Sequence, residues 1–278
     1  MIRLAVASTP GTATLAEAVP AVVAAIEEAG RLGARVVCLP ETCLPGHRLQ
    51  PRPVPNVAER EIEEALDAVA GAAAAAGVAA VVGAERPTPA GRMIVAAVVD
   101  GAGTRLGEQA KTQVDVSEEP HYVPGRGRRT FHTAGLTFGI AICHEAFRYP
   151  EIARSLALAG ARAVFVPHLV ADAEGSMPRR FCDPAGSYHE QALMCRALEN
   201  TVYVVAANAA GPDQRSASCI IAPDGSLVAQ VAYGRVGVAA ADVDLALADG
   251  LLARRWAPER NVLLHVAEPA AVNPSRTG

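Results

Sequence analysis

The sequence is almost without lysine. Lys111 is the single one among 25 Lys and Arg residues in a chain of 278. Arginine serves wherever a charge suffices, so a lone lysine marks a place that needs a compact ammonium close to a reacting atom. Aromatic residues are scarce at 4%, against a hydrophobic share of 51%, so the core must be Ala, Val, Leu and Ile. An excess of positive charge is also missing. The net charge of -4 leaves no electrostatic footprint for nucleic acid or an anionic membrane surface. Long apolar runs are absent too. The stretch 68–82 is Ala-rich and broken by Gly71 and Gly77, short of the roughly 20 residues a spanning helix needs. Pro10 and Gly11 interrupt the apolar start, so no secretory signal is read and a cytoplasmic protein is expected.

The 6 cysteines, at 38, 43, 143, 182, 195 and 219, have no framework spacing, and reduced thiols are expected. Cys38 and Cys43 lack a matching second pair, so no zinc site is expected, nor any other metal or cofactor. There is no G-x-S-x-G elbow. Gly125-Arg126-Gly127 lacks the third glycine of a dinucleotide loop, and the only lysine follows Ala110 rather than the glycine of a phosphate-binding loop.

What is present alternates strand with helix. In the first half, strands are expected at 2–8, 35–39, 78–83, 93–100 and 104–110, with helices at 15–32 and 59–76. In the second half, strands are expected at 136–143, 161–167 and 201–208, with helices at 149–159 and 186–200. Three further segments, 216–221, 226–231 and 236–243, read as a closing meander. Two mixed sheets with helices outside are implied, in one domain over 1–267 with a peripheral tail at 268–278.

Three polar residues fall where buried strands end. Glu41 follows Val36-Val37-Cys38-Leu39-Pro40, Lys111 ends the strand around Leu106, and Cys143 ends Phe138-Gly139-Ile140-Ala141-Ile142. Sites in α/β sheets lie at strand C-termini. A thiol entering a helix feels the N-terminal amides, and with an ammonium nearby the thiolate is expected to be favoured.

With these residues in this order, the chain resembles the nitrilase superfamily of carbon–nitrogen hydrolases. The resemblance rests on Leu-Pro-Glu at 39–41, Lys111 and Ile-Cys-His-Glu at 142–145. It extends to the Glu118-to-Gly125 segment, Arg148-Tyr149-Pro150-Glu151, the helix ending Arg196-Ala197-Leu198-Glu199-Asn200, and the turn Ala222-Pro223-Asp224-Gly225. It implies a four-layer α-β-β-α sandwich and a homodimer, or a higher homo-oligomer, paired through an outer helical face. It also implies Glu41 as general base, Lys111 and the backbone N–H of His144 as oxyanion donors, Cys143 as nucleophile, and Glu118 as the residue that holds the lysine.

The segment after the cysteine is one residue longer than is common in the family, and His189 stands where a Trp is frequent. His168, Arg179 and His189 are candidates for contacting the substrate, Arg179 as a grip for a carboxylate. The expected activity is hydrolysis of a small amide, N-carbamoyl or ureido compound through a Cys thioester. The rivals are hydrolysis of a small nitrile, acyl transfer, and an inactive member acting as a binding subunit; the intact Glu41, Lys111 and Cys143 count against the last.

Overall fold

A computed structural model describes residues 1–261 apart from 173 and 185. The expected boundary at 267 and the tail beyond it lie outside the described residues. The first half runs β1 (Ile2–Ser8), α1 (Leu15–Arg31), β2 (Val36–Cys38), α2 (Glu59–Ala76), β3 (Ala79–Thr88), β4 (Gly91–Val99) and β5 (Arg105–Ala110). The second runs β6 (Thr130–Thr133), β7 (Leu136–Ile140), α3 (His144–Arg148), α4 (Pro150–Leu158), β8 (Ala163–His168), α5 (His189–Leu198), β9 (Tyr203–Asn208), β10 (Cys219–Ile221), β11 (Leu227–Gln230), β12 (Gly237–Val243) and α6 (Leu251–Arg254).

The strands form two 6-stranded mixed sheets, ordered β12-β1-β2-β3-β4-β5 and β11-β10-β9-β8-β7-β6. Strand periodicity explains the layering. In β1, Leu4 and Val6 face the other sheet, while Ala5 and Ala7 face α1 and α2. The same alternation holds in β2, with Val36 and Cys38 inward and Val37 under the helices. Val22 and Ile26 of α1 and Ile62, Leu66 and Val69 of α2 cover that outer face. On the far side, Ile152 and Leu156 of α4 and Leu193 and Ala197 of α5 cover the second sheet. The result is the expected α-β-β-α sandwich.

Two expectations are corrected. The closing segments do not form one meander: β12 crosses to the other sheet and pairs antiparallel along β1, Ile2 opposite Val243 through Ser8 opposite Gly237. That pairing covers the free edge of β1, which an exposed strand would leave open. The hairpin partner of β7, strand β6, was not foreseen at all; Thr130–Thr133 is too short for its alternation to register.

Candidate active site

The parallel strands β2 and β7 end on facing sheets, and the site lies beyond their C-termini. After β7 the chain stays extended: Ala141 N–H donates to Phe165 O at 3.0 Å and Cys143 N–H to Pro167 O at 2.9 Å. It then turns abruptly into α3. Cys143 takes that turn at φ 50 and ψ -113, a backbone region that costs a non-glycine residue about 1–3 kcal/mol. The strain is offset by Glu145, which is fully buried. Its Oε2 accepts the Ile142 N–H at 2.9 Å, while its Oε1 accepts the Thr112 hydroxyl at 2.7 Å, the Gln113 N–H at 3.1 Å and the Arg128 guanidinium. His144 stands at the first position of α3, where an N–H has no intrahelical partner.

Glu41 rides a turn pressed against β3. A side chain at Gly83 would come within 2.2 Å of Pro40 O, so only glycine admits the turn at this depth. Lys111, fully buried, donates from Nζ to Glu41 Oε1 at 2.8 Å and to Glu118 Oε1 at 2.7 Å. Leu169 N–H reaches Glu41 Oε2 at 3.0 Å. Glu118 is held further by Asp115 N–H at 2.8 Å and by His47 Nε2 at 3.2 Å. Burial works against the Glu118 charge, but the His47 hydrogen bond and the Lys111 ammonium outweigh it and keep the carboxyl below its ordinary range. Burial likewise opposes the Lys111 charge, yet Glu41, with Cys143 and Glu118 after it, holds the ammonium above its ordinary range.

Cys143 behaves differently from the thiolate expected. Burial first, and the Glu41 charge second, push its thiol well above the ordinary range, against the pull of Lys111. The hydrogen bonds of Lys111 Nζ go to the two carboxylates. The thiol opens on a pocket of about 540 Å³ that His47, Glu118, His144, Arg148, Tyr188 and His189 also line.

Of the residues expected to meet substrate, His189 is on that pocket wall and two are not. The ladder of β8 runs on through Pro167, pairing His168 with Asn208, so His168 is fully buried in the sheet. Its Nδ1 lies 3.1 Å from Val166 O, its ring meets Phe147 edge-on, and burial drives its pKa to about 3. Arg179 is exposed and lines a separate surface depression of about 160 Å³. His47, which was not foreseen, lines the pocket, as does Arg148, while Glu145 holds the nucleophile turn; the sequence marked the last two only as motif residues without a role. Only the adjacency of Glu145 to the Cys-His pair signalled it.

Glu41, His47 and Glu118 bring one donor atom each to within 4.8 Å of one another, spacing that suits a metal. Lys111 Nζ already bonds both carboxylates there, and a cation beside an ammonium is repelled.

The family profile described as carbon-nitrogen hydrolase matches residues 3–251. A nitrilase of Pyrococcus abyssi is 31% identical over 230 residues, 80% of this chain and 81% of its own. An N-carbamoylputrescine amidase of Solanum lycopersicum is 29% identical over 166 residues, 54% of each chain. An amidase of Nesterenkonia sp. AN1, solved in complex with butyramide, superposes with a TM-score of 0.76 at 24% identity, covering 94% of this chain and 97% of that one. The profile spans nearly the whole chain, and the two facing sheets agree with it. The chain therefore belongs to the nitrilase superfamily and is a carbon–nitrogen hydrolase of the amidase and nitrilase kind.

Proposed function

We propose that the protein is an amidase that hydrolyses a non-peptide carbon–nitrogen bond of a small amide or N-carbamoyl compound through a thioester on Cys143. The observation that carries this reading is the Lys111 ammonium bridging Glu41 and Glu118 beside a thiol that opens on the pocket. Glu41 takes the Cys143 proton as sulfur attacks the carbonyl carbon. Lys111 and the His144 N–H meet the negative charge that develops on oxygen; one such donor is commonly worth about 3–4 kcal/mol. Glu41 returns the proton to nitrogen, the C–N bond breaks, and ammonia or an amine leaves the thioester. Water then gives a proton to Glu41 and attacks, releasing the acid and restoring the thiol.

A nitrile would use the same groups, and the Pyrococcus relative bears that name. The test is an ammonia-release screen over amides, N-carbamoyl compounds and nitriles, with intact-protein mass spectrometry for the acyl-enzyme. Cys143→Ala abolishes both signals; retained turnover defeats the mechanism.

We also propose a homodimer. Leu158 of α4, Leu198 of α5, and Leu252 and Trp256 in and after α6 are 52%, 50%, 45% and 45% exposed. Arg154 gathers these elements by donating to Leu252 O at 3.3 Å and Glu199 O at 3.1 Å. An apolar face of this kind suits a second copy of the chain.

A further inference from the structure

The loops that follow β1 and β2 line a second, far smaller cavity of about 20 Å³ beside the pocket of about 540 Å³. Gly11, His47, Gln50 and Leu169 line both spaces and so stand between them. That wall divides the proposed chemistry. Cys143 is on the large pocket, and Glu41 is on the small cavity. The general base is thus reached from a chamber of its own.

Polar side chains on this cavity have hydrogen-bonding capacity left. Thr9 and Thr42 are 2% and 0% exposed, and among the described residues neither hydroxyl has a hydrogen-bond partner. A hydroxyl both donates and accepts, and burying one with neither bond made is unfavourable. Glu41 accepts Lys111 Nζ on Oε1 and Leu169 N–H on Oε2, whereas an ionised carboxylate has about four acceptor sites. The neighbouring groups are already used. Thr12 donates its hydroxyl to Pro45 O at 2.9 Å, Gln50 donates its amide to Thr12 O at 2.6 Å, and Cys43 Sγ lies 3.3 Å from Gly83 O.

A single water needs about 10–15 Å³ and two to four polar partners, and the cavity offers both. It is too small for an amide substrate. Ammonia is of similar size, but its one lone pair can accept from one hydroxyl only. A water accepts from Thr9 and Thr42 together and keeps its protons for Glu41.

We propose that this cavity is a water site, and that Thr9 and Thr42 are positioning residues that hold the water Glu41 draws on to hydrolyse the thioester. This rests on the amidase reading above and deepens it. Once Cys143 is acylated, the acyl group lies in the large pocket, and the approach to Glu41 from the small cavity does not cross that space. The water oxygen forms its bond to the acyl carbon as one of its protons passes to Glu41. The C–S bond then breaks, the acid is released, and Glu41 returns the proton to sulfur.

The first experiment is a crystal structure that resolves ordered water, for the full-length protein and for Thr42→Val, which is isosteric and keeps the branching at a φ of 42. The expected result is one water within hydrogen-bond distance of both hydroxyls in the parent and none there in the variant. The second is the ratio of hydroxamate to acid formed from one amide with hydroxylamine present. Both products come from the same acyl-enzyme, so the ratio is blind to changes in acylation. Hydroxylamine is larger than water and enters from the large pocket. Thr9→Val and Thr42→Val should each raise the ratio about tenfold, the effect of one lost hydrogen bond to the water, and Thr42→Ser should return it towards the parent value. Absence of the water from the parent structure overturns the site. A ratio unchanged in both Val variants overturns its role, and a lower kcat with that unchanged ratio would mark the cavity as a passage for ammonia instead. If no amide yields ammonia or an acyl-enzyme, the amidase reading fails while the crystal structures still judge the water site.

Discussion

The Glu145 carboxylate, two residues after Cys143, accepts the hydroxyl of Thr112, the residue after Lys111, at 2.7 Å. The nucleophile turn and the lysine loop are therefore joined by one buried side chain. Glu145→Gln keeps the shape but aims an NH₂ at groups that are themselves donors, the Ile142 N–H or the Thr112 and Gln113 N–H groups. It also leaves Arg128 without its anion. Breaking a buried pair from one side costs about 3–5 kcal/mol. The variant should melt earlier, and kcat/KM should fall by about a hundredfold because a 1 Å misplacement is enough for that loss. Thermal unfolding and steady-state kinetics check both; a variant that melts earlier with wild-type kcat/KM shows that the link does not position the site.

A thiol pushed up by burial and by the Glu41 charge stays protonated at neutral pH and ionises only above its ordinary value of 9.0. In a variant keeping Cys143 as its single cysteine, modification by methyl methanethiosulfonate should keep rising with pH past that value. In the unaltered chain the exposed Cys195 should react first. A plateau in the Cys143 rate near neutrality would mean a pre-formed thiolate, and Glu41 would then not be needed to remove the thiol proton.

The parts that were legible in the sequence share one property: a local pattern that tertiary structure did not override. The helix at 59–76 was readable to the residue because its Glu-rich first turn and Gly77, at φ 66 after its end, are local signals. Lys111, which follows the mixed strand Arg105–Ala110, was expected at the site because it is the single lysine of the chain, and Glu41 and Cys143 because each follows an apolar strand end. His168 misled for the same reason: Pro167 looked like a strand end, yet proline forfeits only its own N–H and the ladder carried on to Asn208. Arg179 misled because nothing local says how a long connection folds back. The end of the segment between β8 and α5 brings Tyr188 to the pocket instead, and the first residue of α5 brings His189. The sheet change of β12 was hidden because Val238 and Ala240 alternate with Ala239 and Ala241 as they would in a meander; only the free edge of β1 distinguishes the two.

Lys111 sits between Glu41 and Glu118 with no exposed surface, so charge and size both matter. Lys111→Ala should lower kcat by about 10²–10³, the usual cost of losing one oxyanion donor. It should also destabilise the fold, since two carboxylates are left facing each other in the interior. Lys111→Arg should fail almost as badly, because a planar guanidinium does not fit between acceptors 2.8 and 2.7 Å from one nitrogen. The measurements are kcat on the amide found in the screen and circular dichroism to establish that each variant is folded. An Arg variant within tenfold of wild type would show that charge alone suffices.

The proposed dimer follows from how the outer helices are finished. Buried faces of α4 and α5 seat Leu156 and Leu193 on the second sheet, while Leu158 and Leu198 at their C-terminal ends point outward and remain about half exposed. Trp256, the only tryptophan in the chain, is 45% exposed just beyond α6. Large apolar side chains cost solubility when grouped in solvent, and a self-complementary face removes them from water. Light scattering after size exclusion should give twice the mass of 28.7 kDa. Leu198→Glu with Trp256→Glu should shift the species to a monomer, because burying two carboxylates against their symmetry mates is unfavourable. A monomer in the unaltered protein, or a dimer that ignores both charges, would place the contact elsewhere or remove it.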